Sequence, residues 1–171
     1  MAQHIWLIGM MGSGKSTVAR HLGARLEWEW LDLDEMISKQ VGTSITGFWA
    51  DRGEDEFRDI ELAALREVAS GASRVVATGG GVVVRDANVA MMRSSGLVIW
   101  LQASPQVLVR RIGAGADRPL LQEGERLATL TSILAARRAA YDGAAHASVM
   151  TDDLPVGTVV DRIEELWNEF V

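Results

Sequence analysis

Gly9-Met10-Met11-Gly12-Ser13-Gly14-Lys15-Ser16-Thr17 fits the pattern G-x-x-x-x-G-K-[ST] without a gap, at Gly9, Gly14, Lys15 and Ser16. An apolar run, Ile5 to Ile8, precedes it. A helical stripe follows, with Val18, Ala19, Leu22 and Leu26 apolar and Arg20, His21 and Arg25 between them. Strand, glycine-rich loop and helix in that order are the setting this motif needs. Glycines let successive backbone N–H groups turn inward around an anion, and the helix N-terminus adds unpaired N–H groups and a partial positive charge. Lys15 supplies a point charge for the β- and γ-phosphates, and the Ser16 hydroxyl suits a Mg²⁺ shell. Gly12, Ser13, Gly14, Lys15, Ser16 and Thr17 are therefore expected to bind a nucleoside triphosphate, ATP with Mg²⁺. The competing reading, a Gly/Ser turn capping an ordinary helix, is set aside because motif and context agree.

Outward from this loop, the chain of 171 residues is the size of one domain with one good core. It contains no Cys, which excludes disulfides and thiolate chemistry. No apolar run is long enough to span a membrane, and a strand begins within a few residues of the first Met, leaving no room for a signal peptide. A cytoplasmic protein is expected, and a monomer on size alone. A net charge of −6 argues against a broad nucleic-acid face, but not against a local arginine cluster that holds a small anion. The three His, at 4, 21 and 146, have no metal-ligand spacing.

Apolar runs predict strands at Ile5–Ile8, Trp30–Leu33, Val75–Ala77, Leu97–Leu101 and Ser148–Met150. Helical patterns separate them, near Lys15–Arg25, Asp34–Gln40, Ile45–Asp51, Glu54–Ala69, Asp86–Arg93, Pro105–Arg111, Glu123–Tyr141 and Pro155–Phe170. This alternation predicts an α/β layer fold on a buried parallel sheet, with ligands outside the carboxyl ends of the strands.

Five clusters fall where such ligands would sit. In Leu31-Asp32-Leu33-Asp34, period two puts the carboxylates on one face, where one suits a metal and the other a proton from an attacking hydroxyl. The alternative is that Asp34 caps the next helix. Arg58 and Glu61 are three apart on a helix, so the carboxylate can steer a guanidinium that would otherwise be a surface ion pair. Gly79-Gly80-Gly81 offers backbone N–H groups and no side-chain bulk, or else a mere flexible turn. Arg118-Pro119, after Gly113-Ala114-Gly115-Ala116-Asp117, reads as a mobile lid bringing a charge to a transferring phosphoryl group, or as a solvent loop. Arg137 and Arg138 near Tyr141 are ordinary for a helix end. The tryptophans read as packing.

Taken together, GMMGSGKST, LDLD, GEDEFRDIE, the glycine triplet, RPLL and Arg137-x-x-x-Tyr141 resemble the shikimate kinases, from the first strand to the last helix. The resemblance implies one P-loop kinase domain over residues 1–171. Its sheet has five parallel strands, order 2-3-1-4-5, with a substrate-binding helical segment near 34–61 and a lid near 113–121. It implies transfer of a phosphoryl group from ATP to the 3-hydroxyl of shikimate. It also implies roles. Lys15 and the loop amides hold phosphates, Ser16 binds Mg²⁺, and Asp32 supports the ion through water. Asp34 is the base at the acceptor hydroxyl. Arg58 and Arg137 grip the acceptor carboxylate with Glu61 beside Arg58, and Gly79, Gly80 and Gly81 line the ring. Arg118 reaches the phosphates, while Arg111 and the loop near Pro155 wall the adenine. Arg137 is preferred to Arg138 for its four-residue step to Tyr141. A related small-molecule kinase acting on gluconate is the runner-up. A nucleotide-binding regulatory protein without transfer activity is less favoured, because Lys15, Asp32 and Asp34 are all present.

Overall fold

The computed structural model describes residues 3–113 and 123–171. In chain order the elements are β1 (His4–Ile8), α1 (Lys15–Leu26), β2 (Glu29–Asp32), α2 (Leu33–Val41), α3 (Ile45–Arg52), α4 (Glu54–Ala69) and β3 (Arg74–Ala77). A 3-10 turn (Val82–Val84) leads into α5 (Asp86–Ser95), β4 (Gly96–Gln102), α6 (Pro105–Gly113), α7 (Glu123–Ala144), β5 (Ala147–Met150) and α8 (Val156–Phe170). The strands form one parallel sheet in the order β2-β3-β1-β4-β5, as the resemblance implied.

Period-two alternation sorts the sheet into two cores. Ile5, Leu7, Val75, Ala77, Ile99 and Leu101 pack against Val18 and Leu22 of α1 and Val159 and Ile163 of α8. Trp6, Ile8, Val76, Val98 and Trp100 face the opposite layer, with Ile37 of α2, Leu65 of α4, Met92 of α5, Leu108 of α6 and Leu134 of α7. Both faces are covered, so strands such as His4–Ile8 are buried along their whole length. With β1 central, the chain turns to one side for β3 and β2 and to the other for β4 and β5. The loop after β1 thus sits at the topological switch point, where open α/β sheets bind ligands.

Two expectations change. The second strand stops at Asp32, and Leu33 is already helical. Asp32, not Asp34, caps α2: its Oδ1 accepts from the N–H groups of Asp34 at 3.0 Å and Glu35 at 3.1 Å. The two carboxylates are therefore brought together by a strand-to-helix turn rather than by pleating, because an Asp at the cap satisfies otherwise unpaired amides. The helix carrying Arg137 runs on to Ala144, so this arginine lies within it rather than in its last turn. The lid near 113–121, with Arg118, falls outside the described residues apart from Gly113, which ends α6.

Candidate active site

The loop after β1 turns through Gly12 at φ 80° and Gly14 at φ 93°, a region of backbone space that favours glycine. Gly14 caps α1 and has no side chain to bond the first helix amides, which leaves them for an anion. Lys15 is buried, and its Nζ donates to the carbonyls of Gly9 and Met10, each at 2.8 Å. Burial pulls its pKa down from the ordinary value to about 8, against the opposing pull of Asp34 and then Asp32. Ser16 Oγ donates to Asp32 Oδ2 at 2.5 Å. A hydroxyl and a carboxylate side by side at a phosphate loop are hard oxygen donors that fit Mg²⁺. Among the described residues no group of three or more His, Asp or Glu gathers for a metal, so such an ion would complete its shell from phosphate oxygens and water.

Lys15 near a pKa of 8 gives a direct expectation. Phosphates arriving beside it favour the charged amine, so ATP binding near pH 8 should take up roughly half a proton per site, falling toward zero by about pH 6.5. Calorimetric titration in buffers of different ionisation enthalpy measures the uptake. The Lys15→Met enzyme provides the baseline, and an uptake equal to that baseline would contradict the assignment.

On the β2–β3 side of the loop lies a cavity lined by Asp34, Arg58, Glu61, Gly79, Gly80, Gly81 and Arg137, closed by Met11, Ile45, Trp49 and Phe57. Asp34 comes from the first turn of α2. Burial raises its pKa, as does the neighbouring Asp32, while Lys15 and Arg58 oppose the rise. Arg58 is 4% exposed, which removes the surface ion-pair reading. Its Nη1 donates to both oxygens of Glu61, at 3.1 and 3.0 Å, and its Nη2 to Glu54 Oε1 at 3.0 Å. The guanidinium also lies 5.3 Å from the Trp49 ring centroid and 5.4 Å from that of Phe57. Burial pushes Glu61 up, opposed mainly by the charge of Arg58.

The glycine triplet is packed between these groups. A Cβ at Gly79 would stand 2.7 Å from Asp34 Oδ1, and one at Gly81 would run into Arg58 Nη2. Thr78 extends β3 by donating both N–H and Oγ1 to the Leu7 carbonyl, at 3.1 and 2.9 Å, which ties the turn to the root of the phosphate loop. Tyr141, fully buried and stacked on Trp100, donates its hydroxyl to the Gly80 carbonyl at 2.5 Å and meets Arg137. The four-residue step thus places Arg137 in the cavity. Arg138 instead points past it, with its guanidinium 6.0 Å from the Trp100 centroid.

A second cavity opens on the β4–β5 side, lined by Gly12, Ser13, Gly14 and Thr17 of the loop, Arg111 of α6, and Thr151. Arg111 donates to Thr151 Oγ1 at 3.0 Å and to the Thr151 carbonyl at 2.9 Å. Pro155 is exposed, and the residues on either side of it, Leu154 and Val156, line this cavity. Sequence reasoning overlooked Trp49, which it took as packing, and Thr151 and Asn88, which no motif marks. Trp49 had one usable signal: it sits on the short helix between the Asp32–Asp34 pair and the Arg58–Glu61 pair.

A parallel sheet with a phosphate loop at its switch point, a buried lysine in that loop and flanking cavities define a P-loop nucleotide-dependent phosphotransferase. A protein-family model for shikimate kinase matches residues 11–167, and the chain belongs to that family. The shikimate kinase of Moorella thermoacetica is 38% identical over 165 residues, covering 96% of this chain and 94% of that protein. A solved shikimate kinase from Acinetobacter baumannii, in complex with shikimate, superposes with a TM-score of 0.88 at 32% identity, covering 97% of this chain and 93% of that one. A gluconokinase from Sinorhizobium meliloti reaches a TM-score of 0.63 at 19% identity, over 98% of this chain and 95% of its own, which is a likeness of fold alone.

Proposed function

We propose that this chain, a shikimate kinase by family, transfers the γ-phosphoryl group of ATP to the 3-hydroxyl of shikimate, giving shikimate 3-phosphate and ADP. The two cavities on either side of β1, meeting at the phosphate loop, carry the reading. ATP would lie along Gly12–Thr17 with its base between Arg111 and the Leu154–Val156 wall. The acceptor would lie in the arginine-lined cavity, so that its hydroxyl meets the terminal phosphate above Lys15. Asp34 accepts the hydroxyl proton, Arg58 and Arg137 hold the carboxylate, and the Gly79–Gly81 turn lets the ring approach the backbone. Ser16 and Asp32 would hold Mg²⁺, which when bound neutralises charge on the phosphate oxygens. The segment α2–α4 is the acceptor-binding part of the domain. On size and composition we place the enzyme in the cytoplasm as a monomer.

An ADP-release assay over shikimate, its methyl ester and gluconate tests this. Shikimate should be the good acceptor. The ester, lacking the charge, should show a KM about 10–100-fold higher, since a charged hydrogen bond is worth roughly 1.5–3 kcal/mol. Arg58→Lys should lose part of the same affinity, because an ammonium cannot present a planar fork. Arg58→Ala should lose more and also lower Tm, because Glu61 is then left buried without its charged partner. An ester used as well as the acid, or gluconate used better than shikimate, would overturn the substrate assignment.

A further inference from the structure

Asn88 of α5 has none of its surface exposed. Its Nδ2 donates to Glu61 Oε2 at 3.1 Å and to the Val82 carbonyl at 2.9 Å. Both partners are acceptors, so the amide has one workable orientation: exchanged, Oδ1 would face a carboxylate and a carbonyl. Oδ1 meets no donor among the described residues. A buried acceptor without a partner is unfavourable, and a leucine of similar volume would fill the same gap between α4 and α5 without that cost. The polar residue is therefore accounted for by its pair of donated bonds.

These two bonds join the two halves of the acceptor cavity. Glu61 holds Arg58 Nη1 through both its oxygens, while Glu54 holds Nη2 from the other side. Val82 closes the glycine turn, its N–H bonded to the Gly79 carbonyl at 3.2 Å. The halves are already in contact, since any side chain on Gly81 would strike Arg58. A small shift of Glu61 relative to Val82 therefore moves the guanidinium against the turn. We propose that Asn88 is a positioning residue for acceptor binding, which ties the Arg58–Glu61 pair to the glycine turn and so sets the gap that receives the acceptor's carboxylate. This inference rests on the carboxylate reading of Arg58 given above.

Asn88→Asp keeps the shape, removes the donors and faces Glu61 with a second carboxyl group. Shikimate affinity, read by tryptophan fluorescence or calorimetry, should fall about tenfold at pH 7.5 while ATP affinity stays within about twofold. The groups facing Glu61 are Arg58 of α4, Asp34 of α2 and Asn88 itself. At lower pH the two carboxyl groups in the variant hold a proton between them, and the protonated oxygen is again a donor. The ratio of variant to wild-type Kd should therefore shrink toward pH 5.5 and grow above pH 7.5. A packing defect would give the same ratio at every pH and would overturn the proposal. Asn88→Ala, which adds no charge, is the second arm and carries the test if the first variant does not fold. It should weaken shikimate binding about tenfold but barely alter the binding of the methyl ester, which has no charge for Arg58 to hold. Wild-type enzyme that does not distinguish acid from ester defeats the carboxylate reading itself. Wild-type discrimination retained in full by Asn88→Ala defeats the role of Asn88 alone.

Discussion

Lys15→Ala is expected to lower kcat by about 10²–10³-fold, the cost of losing one preorganised donor and its charge at roughly 3–4 kcal/mol. An ammonium has three hydrogens to donate. The Gly9 and Met10 carbonyls take two, each at 2.8 Å, which locks the head group over the loop and leaves one hydrogen and the charge for the phosphates. The variant should stay folded. Folding lowers the pKa of Lys15 from 10.5 to about 8, so the charged amine is disfavoured in the native state. That cost is full below about pH 8 and gone once both folded and unfolded amines are neutral, above about pH 10.5. Alanine removes it while leaving two carbonyls without their donor, so the terms oppose each other and Tm at pH 7 should move by only a few degrees. ADP release alongside circular-dichroism melts decides the matter. A folded variant turning over within tenfold of the wild type would remove Lys15 from the machinery.

The phosphate loop and the sheet were legible in the sequence because their signals are local. A glycine pattern at fixed offsets and uninterrupted apolar runs need no knowledge of what packs against them. Arg137 was legible only through its step to Tyr141, and the reason for that step is spatial: the tyrosine hydroxyl reaches Gly80, sixty-one residues away. The ending of β2 was misplaced because Leu33 continues the apolar alternation of Leu31, yet the cap chemistry of Asp32 starts the helix there. Asn88 was not legible at all, and Trp49 only by its place on the short helix before Arg58. A tryptophan on a short helix and an asparagine on an amphipathic one acquire their meaning only when α3 and α5 are laid against α4, where Arg58 and Glu61 wait for them.

Asp34→Asn should inactivate the enzyme and stabilise it. Loss of a general base typically costs about 10²–10⁴-fold in rate, and Asn preserves the shape of the side chain without its capacity to take a proton. ATP affinity should change little, because the loop amides, Lys15 and Ser16 remain. The stability arm follows from sign. Burial first, and the charge of Asp32 second, raise the pKa of Asp34 in the folded state, with Lys15 and Arg58 only partly offsetting them. Folding thus favours the neutral carboxyl. At a pH above the folded value the ionised group costs stability, and below the unfolded value of 3.8 the cost is absent. Asn should therefore raise Tm at pH 7, with a gain that shrinks as pH falls toward and below 3.8. The same raised pKa makes the wild-type kcat fall as acid protonates the base, and that limb should be missing from the residual activity of the variant. A residue that merely supported α2 would behave in the opposite way, since its replacement would lower Tm and leave kcat near wild type. The cap is in any case held by Asp32, whose side chain accepts from the Asp34 and Glu35 amides whatever the Asp34 carboxylate does. Melting curves from pH 3 to 8 and kcat over the folded part of that range give both readings from one preparation. Unchanged kcat, or a Tm at pH 7 below that of the wild type, would return the proton acceptor to Asp32 or to none.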